Sequence, residues 1–281
     1  MPIINRSSIF FYTLLVAIVF INSSTVNAEP SNQAAIATAH PIATQAGIQI
    51  LNQGGNAFDA AVAISATLAV VEPFSSGIGG GGFWLLHNAK TKINIMVDGR
   101  EVAPLAASKT MYQDASGEII KGLSINGALA AGIPGEPAAL VHIAKEYGRL
   151  PLSQSLAPAI KAAQNGFKVS PMYQRMVRFR LNALRRSPAA AKVFLYSNRV
   201  PHLGYLVRQP DLAKTLQAMA KLGKAGFYQG EIANALVKGT QAAGGIWSMK
   251  DLAQYKIKQR QPIIGQYKNF KIISAAPPSS G

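Results

Sequence analysis

The stretch EPFSSGIGGGGFWLLHNAKTKINIMVDGREVAP, Glu72 to Pro104, decides how the rest of the chain is read. Gly79 to Gly82 is a run without side chains, where the backbone can take positive φ or lie against another surface at little steric cost. The apolar runs Phe83–Leu86 and Ile93–Val97 flank His87–Lys92, which contains Asn88, and this pattern predicts a hairpin. Arg100 follows Asp98 and Gly99 directly. A charged side chain therefore sits on a turn just past a strand predicted to be buried, a place where functional groups are often held.

On the N-terminal side of this stretch, Asn56 caps a helix predicted over Ala57–Val71, with Asp59 in the capping-box position. Nearly every residue of that helix is apolar, so it is expected to be buried all round, and Glu72-Pro73 ends it. An earlier helix, Ile42–Asn52, collects Ala43, Ala46, Gly47, Ile50 and Leu51 on one face and stops at Gly54-Gly55. Ala34–Ala39 reads as a short buried strand closed by His40-Pro41.

On the C-terminal side, Lys109–Leu123 is polar and turn-rich, and Gly127–Pro137 is a second glycine and proline connection. Helices are predicted over Ala138–Tyr147, Leu152–Asn165, from Ser170-Pro171 onward, Gln209–Leu222 and Glu231–Ala243. The helix opened by Pro171 carries Arg175, Arg178, Arg180, Arg185 and Arg186 around its whole wheel, the pattern of a solvated helix. Alternation returns between Tyr255 and Ile273 and predicts strands, making the class α+β. Pro277 to Gly281 reads as a turn that introduces a further element, so a chain truncated at its C-terminus is expected.

At 281 residues and 49% hydrophobic composition the chain can bury the core of one large domain or two small ones. Residues 1–28 have the plan of a secretory signal peptide: Arg6, the apolar run Ile9–Ile21, and Val26-Asn27-Ala28 as a cleavage site. That run is shorter than the ~18 residues a transmembrane helix needs, which predicts a soluble exported or periplasmic protein with its domain over 29–281. With no cysteine there is neither a disulfide nor a thiol nucleophile, so stability must come from the core. Residues 1–160 carry eight Lys+Arg against nine Asp+Glu, whereas residues 161–281 carry twenty against three. Such a basic half suits an anionic surface, an acidic partner or plain solvation; export and the lack of a zinc finger or RNP pair argue against nucleic acid.

Gly77, Gly79 and Gly82 satisfy GxGxxG, but a helix precedes them and strands follow, the reverse of a dinucleotide-binding context. There is no GK[ST] and no GxSxG elbow. His40, His87, His142 and His202 are scattered, without HExxH, so no metal site is read from them, and no cofactor is called for. Glu72 and Glu136, each followed by proline, read as helix-end or turn acids. That leaves Arg100, whose planar fork suits a ligand carboxylate and equally suits an ion pair with Asp98, Glu101 or Glu72.

The segments QGGNAFDAAVA, VVEP, SGIGGGGF and DGREVAP, followed by GIPGEPAAL, LAPAIKAAQNGF, QPDLAKTL, GFYQGEIA, GGIWSMKDLAQY and PPSSG, resemble in this order the large subunit of the γ-glutamyltransferase (glutathione hydrolase) family. The resemblance implies an N-terminal-nucleophile hydrolase, with two sheets between helix layers, made as a precursor that cuts itself into large and small subunits. It implies a threonine nucleophile at the start of the small subunit, acting on γ-glutamyl amides such as glutathione. It also implies that Arg100 binds the substrate α-carboxylate. The nucleophile-bearing segment of that family lies beyond PPSSG, so this chain is expected to supply only a large-subunit portion, with no catalytic residue of its own, inactive without the missing small subunit. Gly99 stands where the family often has a bulkier residue, which predicts a more flexible turn at Arg100, and Ala276 replaces a proline of the family's PPPSSG. The competing reading is a non-catalytic secreted protein that binds an anionic surface through its basic half.

Overall fold

The structure is a computed structural model that describes residues 34–280; the expected signal peptide lies outside them. Helix α1 (Pro41–Asn52) starts on His40, whose Nδ1 accepts the Ile42 N–H at 3.2 Å. Helix α2 (Ala57–Val71) starts on a full capping box, in which Asn56 accepts from the Phe58 and Asp59 N–H groups and Asp59 accepts from the Asn56 N–H at 2.9 Å. Asp59 is completely buried and also accepts the Arg149 and Leu150 N–H groups at 2.9 and 3.2 Å. Three backbone donors offset the cost of taking a carboxylate out of water.

From Phe58 to Val71 no residue of α2 is exposed, in line with its continuous apolar composition. The helix is enclosed by α1, by α3 (Glu136–Tyr147) and by α4 (Leu152–Asn165). Close packing follows from small residues: a Cβ on Gly47 of α1 would lie 2.7 Å from Ile64 Cδ1, so the missing side chain makes room for that of α2. Strand β3 (Phe167–Lys168) pairs antiparallel with β4 (Leu206–Val207). Between them run α5 (Pro171–Arg185), capped by Ser170 Oγ, and α6 (Pro188–Phe194). Helices α7 (Pro210–Leu222), α8 (Ala225–Tyr228), α9 (Gly230–Ala242) and α10 (Met249–Gln254) complete the helical part. Leu140, Ile143, Leu156, Leu216, Met219 and Leu252 are its fully buried centre.

The hairpin of β1 (Phe83–Asn88) and β2 (Ile93–Asp98) forms as read and gains β5 (Lys258–Arg260) on its far side, all antiparallel, in the order β1-β2-β5. Asp98 sits opposite Phe83 and Lys258, and Met96 opposite Arg260. A second hairpin, β6 (Ile263–Tyr267) with β7 (Phe270–Ser274), is a separate sheet.

Two readings need correction, and three short helices are absent from the sequence reading. Ala34–Ala39 is not a strand: no other described segment pairs with it, and its residues are half-buried or exposed. Helix α3 begins at Glu136 rather than Ala138, because Gly135 and Pro137 fit its first turn. The one-turn helix at Phe227-Tyr228 and the short helices α6 and α10 are too brief to show a helical period.

Candidate functional site

The site is built where the glycine run meets the end of β2. The Gly99 N–H donates to Gly82 O at 3.0 Å and the Gly82 N–H returns to Gly99 O at 3.3 Å. A side chain on Gly81 would collide with Gly99 O, and one on Gly135 would collide with Gly99 O and the Tyr255 hydroxyl. Gly80 O accepts the Gly135 and Glu136 N–H groups at 2.8 and 3.0 Å, so the first turn of α3 is anchored to the same loop. None of Gly79 to Gly82 has positive φ. At Gly81 the glycine is needed because backbone lies against backbone, whereas a Cβ on Gly79 would meet nothing within 4 Å.

This packing overturns the expected flexible turn at Gly99. That residue is buried, and a Cβ on it would stand 2.7 Å from Ala139 Cβ, so the turn is clamped between α3 and the glycine loop. Its neighbours hold Arg100 from both sides. The buried Asp98 carboxylate accepts the Arg100 N–H at 3.0 Å, and the Tyr255 hydroxyl donates to Arg100 O at 2.9 Å. Burial pushes the Tyr255 hydroxyl up, which keeps it a neutral donor, and its ring stacks on Tyr228 with centroids 5.6 Å apart.

Above this fixed backbone the Arg100 side chain is exposed. Its Nη1 donates to Pro278 O at 3.1 Å, which brings the Pro277-Pro278-Ser279-Ser280 segment to the site. Among the described residues no carboxylate lies within ion-pair distance of its guanidinium. The cation on Asp98 is Arg260 instead, with Nε 2.7 Å from Oδ2. A cavity of about 110 Å³ opens beside Arg100, walled by Glu101, Tyr255, Lys256, Lys258 and Pro278.

Behind the glycine loop, Glu136 is 8% exposed. Burial pushes its carboxyl up to about 8, and the nearby Glu101 carboxylate adds to the effect. Glu136 is therefore largely protonated at neutral pH, a property that its place before a proline did not announce.

A sequence model of the Gamma-glutamyltranspeptidase family matches residues 43–281. The chain belongs to that family. It is 38% identical over 247 residues to a glutathione hydrolase proenzyme of Pseudomonas sp. strain A14, covering 88% of this chain and 43% of the relative. It is 40% identical over 259 residues to one from Pseudomonas aeruginosa, covering 92% and 45%. Its fold is similar to the crystal structure of Helicobacter pylori gamma-glutamyltranspeptidase, with a TM-score of 0.85 at 41% identity over 89% of this chain and 73% of that one. The chain thus spans less than half the length of these curated relatives, and its mixed helix and sheet is the corresponding part of the N-terminal-nucleophile hydrolase fold.

Within this gamma-glutamyltranspeptidase fold, each of the four scattered histidines has a hydrogen-bond partner. His40 caps α1, His87 faces Asn94 across the hairpin, His142 meets Gln259, and His202 meets Leu203 O. Among the described residues no three His, Cys, Asp or Glu side chains come together as metal ligands. Glu72 caps the end of α2. The arginines of α5 are exposed, with Arg178 on Gln174 and Arg180 on Asn126, but Tyr173 and Val177 bury another face, so the helix is amphipathic rather than solvated all round. The larger and mainly apolar groove between α5, α6 and α9 lies away from Arg100. What the charge count hid is Lys256, Lys258 and Arg260. Their alternation in KIKQR was the available signal, because every second residue of a strand shares a face.

Proposed function

We propose that this chain supplies the N-terminal, large-subunit portion of a γ-glutamyltransferase or glutathione hydrolase, and that Arg100 binds the α-carboxylate of the γ-glutamyl substrate. The observation that supports this most is that the Arg100 backbone is held by Asp98 and Tyr255, next to a Gly99 paired with Gly82, while its guanidinium fork is free of any described carboxylate. Preorganisation of that kind lowers the cost of ordering a side chain on a ligand. A bidentate carboxylate pair then fixes the glutamyl group by two parallel charge-assisted hydrogen bonds.

The chemistry belongs to a threonine on a nucleophile-bearing small subunit. Its hydroxyl attacks the γ-amide carbonyl, its α-amine takes the proton and returns it to the leaving amine, and the acyl-enzyme passes to water or an amino acid. Residues 1–281 alone hold substrate without turning it over. Residues 1–28 direct export to the periplasm or medium and are removed there.

Hydrolysis of a γ-glutamyl anilide tests the reading. The purified chain is expected to give no turnover, and steady turnover by it alone would sink the proposal. Supplied with the nucleophile-bearing segment, the chain gains activity, and Arg100→Ala raises KM roughly 10- to 100-fold. An unchanged KM returns Arg100 to an ordinary surface arginine.

A further inference from the structure

The cavity beside Arg100 holds more positive charge than one carboxylate needs. Its wall carries Arg100, Lys256, Lys258 and Arg260 against two carboxylates, Asp98 and Glu101. Arg260 is committed to Asp98 at 2.7 Å. Glu101 is turned toward the glycine loop, where a Cβ on Gly80 would lie 3.2 Å from its Oε1. Among the described residues neither Lys256 nor Lys258 has a carboxylate within 4 Å.

Their placement follows from strand register. Lys258 sits opposite Asp98, the residue that carries the Arg100 turn. Gln259 points to the other face of β5, where its amide meets His142 at 2.9 Å and Tyr147 at 3.1 Å. The alternation therefore delivers lysine to the Arg100 side and an anchoring glutamine to the α3 side. Lys224 adds to this field from below: its Nζ donates to Tyr255 O, and Lys256 is close enough to help push its ammonium down, after burial. Cations gathered on the wall of a small concavity concentrate anionic ligands there.

We propose that Lys256 and Lys258 form a second carboxylate subsite beside Arg100, which selects γ-glutamyl compounds whose leaving group carries a carboxylate of its own. The inference rests on the Arg100 reading above, since Arg100 places the glutamyl end and the lysines take the far end.

The test is a calorimetric titration of the full chain, at low ionic strength, with γ-glutamylglycine and with γ-glutamylglycinamide, which differ only in the second carboxylate. The acid is expected to bind about fivefold more tightly, the size of two partly solvated charge pairs. Raising the salt should shrink that preference. The double variant Lys256→Gln/Lys258→Gln should bind both probes as weakly as the amide binds to the native chain, and Lys256→Arg/Lys258→Arg should keep the preference. Equal binding of acid and amide by the native chain, with Arg100→Ala weakening both, overturns the subsite and leaves the Arg100 reading standing. A preference that survives the glutamine variant, or is lost in the arginine variant, also overturns it. If neither probe binds the native chain, the Arg100 reading fails and takes the subsite with it.

Discussion

The two hairpins among the described residues are made of similar residues and end in different surroundings. In β1–β2, Leu86, Met96 and Val97 are buried, β5 extends the sheet, and α3 and the glycine loop close on its end. In β6–β7, Ile263, Ile264, Tyr267, Phe270 and Ile272 are all exposed. Strands rich in apolar residues made both hairpins, but only contacts from distant segments turned one of them into a rigid platform. The candidate site grows on the buried hairpin because its side chains need a backbone that does not move.

The largest effect expected from this contrast is at glycine. Gly135→Ala would drive a methyl into Gly99 O and the Tyr255 hydroxyl, and is expected to cost about 4 kcal/mol or to prevent folding. Gly265→Ala in β6 meets nothing within 4 Å and should be neutral or stabilise by about 0.5 kcal/mol. Chemical denaturation of the two variants reads this difference, and equal losses would break the comparison. A core truncation comes next: Met96→Ala is expected to lose about 3 kcal/mol, against about 0.5 kcal/mol or less for Ile264→Ala.

A pH effect sharpens what clamping does to charge. The folded chain holds the Glu136 carboxyl protonated up to about 8, while in the unfolded chain it ionises from its ordinary 4.5. The unfolded state thus loses its proton first, so stability falls as pH rises across that window. Each tenfold of proton affinity corresponds to about 1.4 kcal/mol, so a loss of about 3 kcal/mol between pH 5 and 8 is expected, absent in Glu136→Gln. Parallel melting curves for the native chain and the variant would refute it.

The smallest stability change belongs to the open hairpin. Ile264→Lys/Phe270→Lys should alter stability by under about 0.5 kcal/mol while reducing concentration-dependent association in light scattering, because a bare apolar strand pair invites pairing with other chains. Association unchanged by the two lysines would show that the exposed hairpin is not what sticks.

Much of the fold was legible because its signals are local. The Asn56-Asp59 capping box, the Ser170-Pro171 helix start and the Asn88 turn each act within a few residues, and α2, α5 and the first hairpin appear where those signals put them. Ala34–Ala39 failed for the opposite reason. A strand is stabilised by a neighbour, and its own composition cannot say whether one is there. At the site, the position of Arg100 on a turn after a buried strand was readable, but its freedom from Asp98 was not, since the competitor Arg260 lies 160 residues further on.

The sequence by itself determined the longer helices and the first hairpin, the family resemblance carried by motif order, and the presence of glycines at Gly79–Gly82, Gly99 and Gly135. Only the tertiary structure decided what those glycines are for. At Gly81 and Gly135 a side chain would occupy the space of the Gly99 backbone, and at Gly82 and Gly99 it would press on Trp84 and Ala139, so the loop, the β2 turn and the start of α3 meet closely there. It also decided where charges end up: Asp98 with Arg260, Glu136 buried at the start of α3, Lys256 and Lys258 beside Arg100. Short-range propensity is written residue by residue, whereas charge pairing and burial depend on distances between residues that only the folded chain brings together.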